Sequence, residues 1–191
     1  MFIQTEATPN PATLKFLPGN EVMQSGTADF RDADSARATS PLAARLFEIP
    51  GVTGVFLGYD FVTVTKEEEP DWQHLKPAVL GAIMEHFMSG VPAMAEGTLN
   101  DTAADEGSEF FDAEDKEIVL TIKELLDTRV RPAVAQDGGD ITFRGYQNGT
   151  VFLNMKGACA GCPSSTATLK HGIQNLLRHF VPEVQQVEQV T

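Results

Sequence analysis

Cys159 and Cys162 are the only cysteines in the chain, and they stand three positions apart. Their local run is Met155-Lys156-Gly157-Ala158-Cys159-Ala160-Gly161-Cys162-Pro163-Ser164-Ser165-Thr166. A disulfide across so short a loop would constrain little of the unfolded chain, so the pair reads as metal binding or thiol redox chemistry. Every residue from Gly157 to Gly161 other than cysteine is Gly or Ala. Small residues leave room for a bulky inorganic group and let backbone amides approach it. Pro163 suits the first position of a helix, and a helix N-terminus favours the thiolate that binds soft metals and iron–sulfur clusters.

Counting donors sharpens this. Tetrahedral zinc takes four ligands, and so do all-cysteine iron–sulfur clusters. One chain brings two thiols, so the simplest solution is a two-fold dimer with one Cys-x-x-Cys from each subunit. The histidines are poorly placed to help. His171 and His179 follow Cys162 by more than two and more than four helical turns, and His74 and His86 fall in the front half of the chain. These four read as solvated or satisfied. Two other readings of the pair stay open on spacing alone. One is a thiol–disulfide oxidoreductase, although a helix and a tight hairpin precede the motif where a βαβ unit would be expected. The other is a zinc-bridged interaction module, in which the metal would be structural.

The elements around the motif are readable. Residues 114–126 put Ile118, Ile122 and Leu125 on one helical face, and Arg131-Pro132 starts a second helical piece or kinks the first. Asp137-Gly138-Gly139-Asp140 reads as a structural turn, Ile141–Arg144 as a strand, and Asn148-Gly149 as a hairpin turn before the strand Val151–Met155. A helix follows the cysteines, with Leu169, Ile173, Leu176, Leu177 and Phe180 inward, and Val184–Val190 closes the chain as a strand. The order is α-β-β-α-β.

Ahead of this lies a stretch from Val91 to Glu114 with seven acids and no Lys or Arg. Such a composition reads as a linker, with Phe110-Phe111 as an exception that docks on a domain or staples the next helix. In the front part, Ala12–Leu17 alternates as a strand and Ser40-Pro41 opens a helix carrying Leu42, Leu46 and Phe47. Two strands follow around Gly58-Tyr59-Asp60, and Asp71 caps a last helix with Leu75, Val79, Ile83 and Phe87 inward. The expectation is an α+β protein of two small domains, 1–90 and 114–191, joined by an acidic linker, 91–113.

Composition excludes several classes. Residues 1–112 hold 6 Lys/Arg and 18 Asp/Glu, against 8 and 9 beyond them, within a net charge of −13. An acidic front half argues against nucleic acid, whose phosphates need clustered cations. No apolar run approaches the roughly 18–20 residues of a membrane helix. Neither a nucleophile–base pair nor a phosphate-cradling glycine loop is present, so no enzyme activity is expected.

These residues resemble the Nfu family, whose C-terminal half is a NifU-type domain. The resemblance runs through Asp137-Gly138-Gly139-Asp140 and through Gly157-Ala158-Cys159-Ala160-Gly161-Cys162-Pro163-Ser164-Ser165. In the front half it is carried by Gln4-Thr5-Glu6-Ala7-Thr8-Pro9-Asn10-Pro11 and Phe47-Glu48-Ile49-Pro50-Gly51-Val52. It implies that Cys159 and Cys162 ligate a 4Fe–4S cluster, with 2Fe–2S also possible, bridging two subunits. It further implies a NifU-like C-terminal domain with a mostly antiparallel sheet. By the same resemblance, partners are a second copy of the chain, upstream cluster-assembly proteins and apo iron–sulfur enzymes. Mitochondrial members of the family carry a leader. This chain begins at a methionine without one, so the expectation is a bacterial cytoplasmic protein, with the mitochondrial matrix only if a leader has been removed.

Overall fold

Strand propensity and alternation in Thr13–Leu17 and Val62–Lys66 place two neighbouring strands at the heart of a sheet, and the rest of the first unit builds outward from them. The computed structural model describes residues 1–96, 109–160 and 163–190. It divides into two units, Met1–Thr102 and Ala103–Thr191.

In the first unit, β1 (Gln4–Ala7), β2 (Thr13–Leu17), β3 (Ala28–Phe30), β4 (Val52–Leu57) and β5 (Val62–Lys66) form one antiparallel sheet in the order β1-β2-β5-β4-β3. Helices α1 (Ala33–Thr39), α2 (Pro41–Phe47) and α3 (Trp72–Ser89) accompany it. Phe16, Val62 and Val64 from the central strands share a core with Leu42, Leu46, Val79 and Ile83 from the helices. Trp72 packs against Phe16 and gives its indole N–H to the Pro11 carbonyl at 3.1 Å.

Ser40 does two jobs. Its hydroxyl oxygen accepts the Ala43 N–H at 3.0 Å, capping α2, and the same hydroxyl donates to the Ala93 carbonyl at 2.6 Å. With the Ala95 N–H bonded to the Thr39 carbonyl, residues 91–96 are fastened to this unit. They belong to the stretch that composition marks as linker; most of the rest of it, 97–108, lies outside the described residues.

The second unit begins with a 3₁₀ turn, Ala113–Asp115, that runs into α4 (Lys116–Leu125). A π-helical turn, Leu126–Val130, then leads into α5 (Arg131–Gln136). The Arg131 N–H reaches back to the Leu126 carbonyl just before Pro132, which has no N–H to give. Of the two expectations at Arg131-Pro132, a second helical piece does start there, entered through a widened turn, and the buried face continues through it as Val119, Ile122, Leu126, Val130 and Val134. Ile118, expected inside, is only partly buried.

Strands β6 (Gly139–Gln147) and β7 (Thr150–Gly157) form the hairpin signalled by Asn148-Gly149, both of which have positive φ, as a tight primed turn requires. Helix α6 (Pro163–Phe180) crosses back, so β8 (Gln186–Val190) joins β7 in parallel. Ile173 and Leu177 of α6 are buried, but Phe180 is not. It is 45% exposed, with the Arg129 guanidinium 4.9 Å from its ring centre. The protein is α+β, as expected. Among the described residues no helix is long and apolar enough to cross a membrane.

Candidate metal centre

Strand β7 ends at Gly157, whose φ of +67° turns the chain out of the sheet. The Ala160 N–H closes the turn on the Gly157 carbonyl at 3.1 Å. Cys159 sits inside this turn, between the hairpin and Pro163, the first residue of α6. Its carbonyl accepts the Thr166 hydroxyl at 2.8 Å, which ties the turn to the first turn of the helix. Cys162 and Gly161 lie outside the described residues.

The Asp137–Asp140 run lies against this turn. The Ala158 N–H bonds to the Gly138 carbonyl at 3.2 Å, and Gly138 has φ +81°. A β-carbon built on Gly139 would come 2.6 Å from Cys159 Sγ and 2.7 Å from the Lys156 carbonyl oxygen. No side chain fits there. Asp140, buried at the start of β6, accepts Arg131 Nε at 2.9 Å and Nη2 at 3.0 Å, together with the Ile141 N–H at 2.8 Å. Arg131 also reaches Asp127 at 3.1 Å. Hydrogen bonding to Asp140, more than any other cause, holds the guanidinium in its charged form. The run is thus both a structural turn, as the sequence suggests, and the wall beside one of the two cysteines.

The electrostatics at Cys159 run against the sequence expectation. Its side chain belongs to the buried core of the second unit and is 6% exposed. Burial pushes the thiol up to about 12, and the nearby Asp137 and Asp140 charges push the same way. The helix-end effect that would favour a thiolate fades beyond the first turn, and Cys159 stands ahead of it. In this arrangement Cys159 is a covered, protonated thiol.

His171 and His179 are exposed on α6, and His74 is exposed on α3. His86 is not solvated, and only part of its ring is satisfied, by backbone at Val91 and Pro92. It is buried, and its Nε2 has no hydrogen-bond partner. No group of three His, Cys, Asp or Glu side chains suited to a metal ion occurs among the described residues. Lys156 stands half-buried across the hairpin from Asp140. Thr166 was not legible as part of the site, since a threonine on a helix carries no signal of a bond to a carbonyl seven residues before it, ahead of the helix.

Fold and site define a class: a two-unit α+β protein with a small-residue turn at Cys159 between a strand and a helix, in a Cys-x-x-Cys sequence. Comparison with known proteins supplies the family. Residues 3–90 match the family described as scaffold protein Nfu/NifU N terminal, and residues 122–188 match the NifU-like domain. The chain is 53% identical, over 192 residues, to the mitochondrial NFU1 iron-sulfur cluster scaffold homolog of Drosophila ananassae, covering all of this chain and 64% of that protein. It is 52% identical over 191 residues to the human protein of the same name, again over the whole chain and 72% of the relative. A solution structure of a NifU-like protein from Saccharomyces cerevisiae aligns at a TM-score of 0.45 and 26% identity, over 50% of this chain and 86% of that one.

The chain belongs to the Nfu family of iron–sulfur cluster scaffold proteins. It spans about two thirds of the length of the curated relatives it matches. One expectation is corrected. The starting methionine suggested a bacterial cytoplasmic protein, but these matches, which take in the whole of this chain, are to proteins named as mitochondrial.

Proposed function

We propose that this chain holds an iron–sulfur cluster as cargo between two copies of itself, through Cys159 and Cys162 of each, and passes it to apo-proteins. The observation that carries the reading is the sequence run Gly157-Ala158-Cys159-Ala160-Gly161-Cys162, which follows β7 and leads into α6, in a chain with no other cysteine. Two thiols per chain and four per pair match a 4Fe–4S cluster, or a 2Fe–2S cluster, with every iron site served by cysteine. A cluster held across an interface is released by parting the subunits or by an incoming thiolate, which is the behaviour a carrier requires. In this reading the chain converts no small substrate. Upstream assembly proteins supply the cargo, and apo iron–sulfur enzymes receive it. Residues 1–90 and 114–191 act as two domains, joined through 91–113.

The covered thiol of Cys159 weighs against the oxidoreductase alternative. An attacking cysteine works as an exposed thiolate, whereas burial here favours the protonated form. It also means that the turn opens before Cys159 reaches a ligand shared with another chain.

The test is anaerobic reconstitution with iron and sulfide, followed by metal, sulfide and mass analysis, on the unsubstituted chain and on Cys159→Ser and Cys162→Ser. The expected result is a dimer with one cluster, and loss of stable cluster in either variant with the fold retained. A monomer containing a full cluster, undiminished iron in both variants, or bound zinc without visible absorbance would overturn the reading.

A further inference from the structure

Gly139 and Thr166 are separated along the chain, yet both act on Cys159, one at its sulfur and one at its carbonyl. Gly139 has no β-carbon, and that missing atom is what leaves space for the Sγ: an alanine there would place its Cβ at 2.6 Å from the sulfur. Carbon and sulfur do not approach so closely, so Gly139 and the present position of the thiol are mutually dependent. Thr166 acts on the backbone, its hydroxyl donating to the Cys159 carbonyl at 2.8 Å. The Ala158 N–H, bonded to the Gly138 carbonyl, fixes the preceding residue to the same wall. The sulfur is thereby seated among the buried side chains of the second unit.

We propose that Gly139 and Thr166 are positioning residues that keep Cys159 in a closed seat, and that the turn must leave this seat before the cysteine can serve as a cluster ligand. The inference rests on the ligand role proposed for Cys159 and adds to it a gate. Gly139 shapes the closed seat and Thr166 latches it. Both positions act through Cys159 and neither supplies a donor to the cargo. In the closed state the sulfur is shielded from solvent and from adventitious alkylating or oxidising agents. Opening requires breaking the Thr166 bond and moving the sulfur off Gly139, with no covalent step.

The test uses the full chain carrying Cys162→Ser, so that one thiol reacts, and follows its alkylation by iodoacetamide at fixed pH in the absence of iron. In native buffer Cys159 should react roughly tenfold or more slowly than in urea at the same pH, because reaction waits on opening. Thr166→Val removes the latch while keeping the side-chain shape, and should raise the native rate about fivefold, the effect of one lost hydrogen bond on an opening equilibrium. Equal rates in buffer and urea, or no change with Thr166→Val, would overturn the gate.

The seat is tested separately by a double-mutant cycle on the same chain. Gly139→Ala also meets the Lys156 carbonyl, so a loss should remain in both backgrounds, but it should lower the urea midpoint more when Cys159 is present than after Cys159→Ala, which removes the colliding sulfur. An equal loss in both backgrounds, including failure of both to fold, would overturn the seat. Neither measurement involves iron or sulfide. A failure here leaves the ligand assignment standing, and a failure of reconstitution leaves the closed seat standing.

Discussion

The Arg131 guanidinium grips Asp140 through two hydrogen bonds, Nε to Oδ1 at 2.9 Å and Nη2 to Oδ2 at 3.0 Å, and so clamps α5 to the first residues of β6. Asp140 is the more buried partner, its side chain 5% exposed against 38% for Arg131. Removing the arginine would strand a carboxylate in the wall beside Cys159. Arg131→Met should therefore cost about 2–3 kcal/mol of stability in the second unit, below the full range for a wholly buried pair because one partner is wetted. Asp140→Asn keeps the acceptor for the Ile141 N–H and should cost less. Urea unfolding followed by circular dichroism reads both, and a change under ~0.5 kcal/mol for Arg131→Met would show the clamp to be energetically idle.

How far these features can be read from sequence depends on how local their causes are. Asn148-Gly149 and Ser40-Pro41 were legible because their own backbone preferences dictate the turn and the cap. The α1 segment, Ala33–Thr39, was not legible. It buries only Ala36 and is held by its ends, with Asp32 accepting the Ser35 N–H and the Ser40 N–H bonding to the Ala36 carbonyl. No apolar stripe advertises such a helix. Strand β1 is polar and half-exposed, and owes its existence to pairing with β2. At the site, residue types announced the chemistry of Cys159, but its burial depends on Gly139, which arrives from another strand. A local reading therefore placed the thiol at a helix end and reversed the direction of its titration.

His86 makes the first unit sensitive to acid. Burial, and then the positive charge of Arg45, lower its affinity for a proton below that of an ordinary histidine, while backbone hydrogen bonds at Val91 and Pro92 work weakly the other way. The unfolded chain therefore binds a proton near the ordinary value of 6.5 that the folded chain refuses. Stability is fully present above that pH and falls as pH drops through it, until the folded-state value is passed. The chain's single tryptophan, Trp72, lies in the same unit and reports its unfolding. Urea midpoints by Trp72 fluorescence should fall between pH 7.5 and pH 5.5, and His86→Leu should flatten that slope. His86→Leu should cost little at pH 7.5, since the relief of a buried nitrogen without a partner offsets the loss of the hydrogen bonds at Val91 and Pro92. An unchanged slope in the variant would assign the acid sensitivity to other groups.

Phe110 closes the open edge of β6. Its N–H donates to the Arg144 carbonyl at 3.1 Å and its carbonyl accepts the Tyr146 N–H at 2.9 Å, so one residue bridges the bulge between Phe143 and Gly145. Its ring lies over Gly145, where a β-carbon would fall 2.4 Å from the ring, and 5.1 Å from the ring centre of Phe152. The neighbouring Glu109 reinforces the contact, taking Lys123 Nζ at 2.9 Å. An edge strand with unmet amide and carbonyl groups invites pairing with other chains, and Phe110 supplies the cover. Because the ring is 43% exposed, Phe110→Ala should cost only about 1–1.5 kcal/mol. Gly145→Ala should cost at least as much, because it evicts the ring and frees both backbone bonds. The two substitutions act on one contact, so together they should cost clearly less than the sum of the separate losses. Urea midpoints of the two single variants and the double variant decide this, and full additivity would mean that Phe110 does not rest on Gly145. Light scattering at high concentration offers a second reading, since both single variants should associate more readily once the β6 edge is bare.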